Sequence, residues 1–150
     1  MYKTILVPLD GSRRAEAILP QVEEIAHCFE AKVLFLQVIE PIFVYTGMPG
    51  YVISSADLEE NTREILAQRA KDYLAGLKGE FREKGIQTKS FVEEGPVVGT
   101  IISVAEREGA DLIAIASHGR TGLSHVFYGS VAAGVLHLVN RPLLLVRARV

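Results

Sequence analysis

The chain has 150 residues, 49% hydrophobic and 23% charged, with 16 Lys and Arg against 18 Asp and Glu. This composition excludes a disordered or fibrous polymer. The formal charge of −2 excludes the clustered basic excess that displaces counterions from nucleic acid. The length suits one domain, 1–150, that buries roughly two-thirds of its unfolded surface.

Cys28 is the single cysteine, so no intrachain disulfide is possible. Its place in an apolar helical pattern predicts a small core residue. The sequence opens on MYKTILV, without a charged n-region, apolar h-region or cleavage site. No apolar run approaches the ~18 residues of a membrane span. A reducing, cytoplasmic setting is expected.

In chain order, Thr4–Leu9 (TILVPL) reads as a first strand. Asp10-Gly11-Ser12 follows, with Ser12 as the predicted N-cap of a helix. Ala15, Ile18, Leu19, Val22, Ile25, Ala26 and Phe29 recur there at helical spacing, and Pro20 inside that pattern predicts a local kink. Lys32–Ile39 (KVLFLQVI) is the second strand. The insertion Glu40–Ser55 is rich in aromatics, prolines and glycines, which suits either a lid over a site or a subunit contact. A long helix is predicted from Ser55 to Lys84, with Leu58, Ile65, Leu66, Ala70, Tyr73, Leu74, Leu77 and Phe81 on one face and Gly85 as its stop.

Thr88–Val92 is the third strand, and Glu93 and Glu94 read as a solvated turn before Gly95-Pro96. A shorter helix, Val97–Glu108, ends at Gly109. Asp111–Ala116 (DLIAIA) is the fourth strand, Ser130–Val139 the last helix, and Pro142–Arg147 the fifth strand. The strands are continuously apolar, as strands covered on both faces are. The order β-α-β-α-β-α-β-α-β predicts an α/β fold: a single open five-stranded parallel sheet with helices on both faces, of Rossmann-like type, joined by right-handed crossovers.

Ligands of such sheets bind beyond the carboxyl ends of the strands, where the strand order reverses. Two loops carry suitable chemistry. Asp10, ending the first strand, is an acceptor for ribose hydroxyls or adenine N–H groups, and Pro8 and Val38 can flank a purine ring. After the fourth strand, Gly119 and Gly122 loosen a loop that ends at Gly129-Ser130, where a helix begins. The Ser130 hydroxyl and the amides of Ser130 and Val131 can hold a phosphate at that helix N-terminus, and Arg120 adds charge. Structural readings of the same residues stay open: Ser130 as a helix cap, Gly119 and Gly122 as turn glycines, Asp10 as the shaper of a turn, Arg120 as a solvated charge. Neither a P-loop nor a GxGxxG fingerprint occurs.

With these residues in view, the sequence resembles the universal stress protein family. That family carries Gly, two residues, Gly, nine residues, Gly, then Ser or Thr, after its fourth strand. Gly119 and Gly129-Ser130 match the later elements, while Ala116 stands at the first glycine. VPLDGS, EEGPVVGTII, ADLIAIASHGRTGL and RPLLLVR agree in order and spacing, so the resemblance spans essentially the whole chain. It implies a cytoplasmic homodimer paired through the last strand, Leu143, Leu144, Leu145 and Val146. In the nucleotide-binding branch it implies ATP with Mg2+ or Mn2+ held through the phosphates. Pro8, Leu9, Asp10 and Val38 would contact adenosine; Ala116, Gly119, Arg120, Gly129, Ser130 and Val131 would lie along the ribose and phosphates.

Little points to catalysis. His27, His118, His125 and His137 lack metal-ligand spacing, and no Ser-His-Asp elbow is present. No catalytic residue and no protein-bound metal is assigned. The expected function is ATP-dependent regulation in a stress response, through nucleotide-dependent conformation and partner binding. A nucleotide-free dimeric interaction module and a slow ATP hydrolase are the alternatives.

Overall fold

The computed structural model describes residues 1–41, 55–118 and 129–148. Strands β1 (Thr4–Leu9), β2 (Lys32–Ile39), β3 (Thr88–Glu94), β4 (Leu112–His118) and β5 (Leu143–Ala148) form one sheet in the order β3-β2-β1-β4-β5. All four pairings are parallel. The α/β reading holds.

Alternation along the strands builds two cores. Ile5, Val7, Val33 and Phe35 face one way and pack with α1 (Leu19–Phe29) and α2 (Ser55–Glu83). Leu6, Leu34, Leu36 and Ile113 face the other way, under α3 (Val97–Arg107) and α4 (Ser130–Leu138). Ile5, Leu6 and Val7 are each fully buried, which is why β1 is apolar without alternation. Each such side chain contributes about 1.5–3 kcal/mol.

Several expectations need correction. Pro20 does not kink a helix. A 3₁₀ turn, Ala15–Ile18, precedes α1, and Pro20 falls in the first turn of α1, where its missing donor would have no partner anyway. Ser12 is not the N-cap, a place taken by Arg14 for the 3₁₀ turn and Ile18 for α1; its Oγ instead accepts the Ala15 amide at 3.2 Å. Cys28 is exposed. It follows the buried Ala26 by two positions, about 200° around the helix, and so faces away from the core.

Ile65 is 48% exposed, although Ala70, Leu74, Leu77 and Phe81 are buried as expected. At 29 residues α2 is about 43 Å long and overhangs strands of 6 to 8 residues. Leu58 lies where only the backbone is described. Gly85 does stop α2, with φ +80°. The Ile86 amide donates to Phe81 O at 3.0 Å, closing the helix end through a left-handed residue. Glu93 and Glu94 belong to β3 rather than to a turn, and Glu93 pairs with Arg107 at 2.6 Å.

Candidate functional site

The sheet order places the reversal between β1 and β4: the chain moves outward from β1 through β2 to β3, then returns to the other side of β1. What opens the crevice there is a backbone detail. Lys32 N donates to Lys3 O and Asp111 N to Thr4 O, so odd residues of β1 bond toward β2 and even residues toward β4. Pro8, an even residue, has no N–H to give β4. Accordingly β1 and β4 pair only at Ile5↔Leu112 and Leu6↔Ile113, while β1 and β2 pair from Thr4↔Lys32 to Leu9↔Gln37. The Asp111 carboxylate ties the closed end, accepting the amides of Lys3 (2.8 Å) and Thr4 (3.1 Å).

A cavity of about 270 Å³ occupies the opening on the α3–α4 side. Pro8, Leu9 and Asp10 of β1 line it, with Val38 of β2, Ala116 of β4 and Val131 of α4. The structure therefore brings together six of the residues singled out in the sequence. Ala15, Leu36, Glu40, Val97, Ile101, Ile115 and Ala132 also line it, and the sequence reading missed them. The parity of Val38 would have found Leu36 and Glu40, and helical spacing links Val97 to Ile101. Gly119 and Arg120 lie outside the described residues, as do Gly122, His125 and most of the Glu40–Ser55 insertion.

Asp10 forms an Asx turn, with Oδ1 accepting the Ser12 amide at 2.9 Å. Gly11 in that turn has φ +83°, a conformation that disfavours a side chain. The turn-shaping role thus holds, and the second carboxylate oxygen remains for a ligand. Gly129, not Ser130, is the N-cap of α4, and no side chain caps the helix. Ser130 is the first helical residue, so the capping role considered for it is not what the structure has. The opening amides of α4, Ser130 and Val131, lack intrahelical acceptors. The first backbone bond there runs from Ala133 N to Gly129 O at 2.9 Å.

Alternation settles where Ala116 points. Ile113 packs with the α3–α4 core, whereas Ala114 and Ala116 pack with the α1–α2 core. Ala116 thus lines the cavity together with Leu9 and Ala15, which belong to the same α1–α2 core. Among the described residues no group of three or more His, Cys, Asp or Glu is placed to hold a metal ion. His27 and His137 are exposed. No helix of the described residues is long and apolar enough to cross a membrane.

The model of the universal stress protein family matches residues 1–147. The chain belongs to the universal stress protein family. Universal stress protein MJ0577 of Methanocaldococcus jannaschii is 32% identical to it, over 99% of this chain and 97% of that one. A solved structure of MJ0577 superposes with a TM-score of 0.82 at 31% identity, covering 100% of this chain and 99% of the other. Two more distant family structures share the fold. One is a universal stress protein in complex with cAMP (TM-score 0.62, 20% identity, 99% and 98% covered). The other is from Archaeoglobus fulgidus in complex with dAMP (TM-score 0.63, 21% identity, 96% and 97% covered).

Proposed function

We propose that this universal stress protein binds an adenine nucleotide in the β1–β4 crevice, with ATP as the full ligand, and acts as a cytoplasmic stress-response regulator. The observation that carries this reading is the cavity opened by Pro8, which runs from apolar walls to the uncapped N-terminus of α4. Its volume lies near the lower end of ligand pockets, ~300–1,000 Å³, and suits the nucleoside with the phosphates outside it. Pro8 and Val38 flank the base, Asp10 accepts from ribose hydroxyls or adenine N–H groups, and the amides of Ser130 and Val131 receive a phosphate. Gly119, Arg120 and Gly129 complete the phosphate side. The family structures bound to cAMP and dAMP support an adenine ligand.

The donor set fits a divalent ion that arrives with the nucleotide: the cavity offers only the carboxylates of Asp10 and Glu40. Mg2+ or Mn2+ held through the phosphates would supply charge neutralisation where the triphosphate leaves the protein. Asp10, the α4 amides and Arg120 orient the ligand, and bound nucleotide biases the Glu40–Ser55 segment and so partner affinity. We also propose homodimerisation through the open edge of β5, Leu143–Val146.

Thermal unfolding with Mg-ATP, AMP and cAMP tests the nucleotide site. Ligand at a hundredfold excess over Kd adds about 2.7 kcal/mol, a rise of about 5–10 °C for a chain of this size. Mass spectrometry of the natively purified protein should find adenine nucleotide. Absence of stabilisation by every adenine nucleotide at millimolar concentration overturns the reading.

A further inference from the structure

A second cavity, about 540 Å³, lies at the same end of the sheet but on the α1–α2 side. Its origin is one polar residue in an apolar stripe. The odd residues of β2 face α2, and after Val33 and Phe35 the next is Gln37. An amide there ends the core early and leaves space beneath α2. Leu66, Arg69, Ala70 and Tyr73, spaced along one helical face, form the opposite wall. Asp10, Gly11 and Glu40 form the rim, and Asp10 and Glu40 also border the crevice on the other side.

Among the described residues, two groups in this cavity lack partners. Gln37 Oε1 is buried and accepts no hydrogen bond, a state that costs about 1–3 kcal/mol unless something donates to it. Arg69 has no ion pair or hydrogen bond among the described residues. The Tyr73 proton is committed, because its hydroxyl donates to Glu16 Oε1 at 3.0 Å. The wall therefore presents acceptors at one end (Gln37 Oε1 and the carboxylates of Asp10 and Glu40) and a cation, Arg69, on the helix side. Ile39, Leu66 and Ala70 supply apolar surface between.

We propose that this cavity is a binding site for a small amine of the amino-acid class. Its ammonium group donates to Gln37 Oε1 and lies beside the Asp10 and Glu40 carboxylates, while its carboxylate pairs with Arg69. Two carboxylates against one guanidinium leave an excess negative charge in the lining, so a basic amino acid matches it better than a neutral one. The volume falls within the range of ligand pockets, ~300–1,000 Å³. Because Asp10 is shared, occupancy of this cavity and of the nucleotide crevice are thermodynamically linked, and each ligand alters the affinity of the other by the same factor. The site itself does not depend on the nucleotide reading.

The test is titration of L-lysine into the full nucleotide-free chain, following the Gln37 side-chain amide by NMR, with the signal assigned by its loss in Gln37→Leu. The expected result is a saturable shift. By calorimetry, Gln37→Leu and Arg69→Gln should each weaken the affinity about tenfold or more, and L-norleucine should bind more weakly than L-lysine. Both variants should unfold cooperatively and keep nucleotide-induced stabilisation, since neither side chain lines the crevice. No saturable shift, or affinity unchanged in both variants, overturns the proposal. Lysine binding without nucleotide binding would uphold it while removing the function proposed above.

Discussion

The Tyr73 hydroxyl of α2 donates a 3.0 Å hydrogen bond to Glu16 Oε1, in the 3₁₀ turn before α1. Burial of the phenol, then the hydrogen bond and negative charge of Glu16, hold Tyr73 well above the usual tyrosine range. The protonated form is the one the folded state favours. Stability from this contact is therefore fully present below the unfolded tyrosine pKa of ~10 and is lost as pH rises through the folded value. In a spectrophotometric titration one tyrosine should ionise only with alkaline unfolding, and Tyr73→Phe should remove that late phase. Persistence of the late phase in the variant would assign it elsewhere.

Helices α3 and α4 approach closely at Gly134. A Cβ there would lie 2.7 Å from Val98 Cγ2, and valine has little rotameric freedom to move aside. Overpacking costs about 1–3 kcal/mol, against a helix-propensity gain of about 1 kcal/mol for alanine over glycine. Gly134→Ala should lower stability in urea unfolding. In a Val98→Ala background the same change should raise it, because the propensity gain is then unopposed.

Arg141 Nη1 donates to Ala105 O at 2.8 Å and to Ala110 O at 2.6 Å. Its charge thus sits at the carboxyl end of α3, where the helix dipole favours a cation. Arg141→Met should destabilise by about 1–3 kcal/mol. The loss should appear in hydrogen exchange first at the α3–β4 connection, with nucleotide affinity unchanged.

For the crevice, Ala116 and Val131 of its lining yield a discriminating pair. Ala116→Gly should change nucleotide affinity by less than about threefold, while glycine in a strand interior lowers stability by about 0.5–1 kcal/mol. Val131→Phe, which places a ring in the cavity, should abolish nucleotide-induced stabilisation. A large gain in affinity for Ala116→Gly would mean that the methyl group does crowd the ligand.

The edge of β5 is directional. Ile113 N donates to Pro142 O, so even residues of β5 bond to β4 and the amides of Leu143 and Leu145 point outward. Leu145→Pro removes an outward donor without breaking a bond to β4. If two copies pair there, sedimentation should show the variant as a monomer; a dimer that survives it uses another surface.

Much of the architecture was legible in the residues alone. Thr4–Leu9 and Lys32–Ile39 are strands with the same limits in sequence and structure, because runs buried on both faces carry no other signal. Gly129 and Asp10 pointed to the carboxyl ends of the strands, the end at which the crevice lies. Cys28 and Ile65 were misread because helical spacing shows that a face is apolar, not how far the neighbouring sheet reaches to cover it.

Composition and periodicity by themselves determine the α/β class and the element order, and point to the end of the sheet at which the crevice lies. The tertiary structure decided the rest. Pro8 was read as a wall for a purine, yet its larger effect is the donor it withholds from β4, which lets the crevice open. Gln37 is a polar residue in an apolar strand, and the sheet places it under α2, across a cavity from Arg69. Ala116 stood only at the place of a motif glycine, until the sheet put it in the lining of the crevice beside the α1–α2 core. Hydrogen-bond direction and pleat depend on which strand lies beside which, and that pairing joins residues a hundred positions apart.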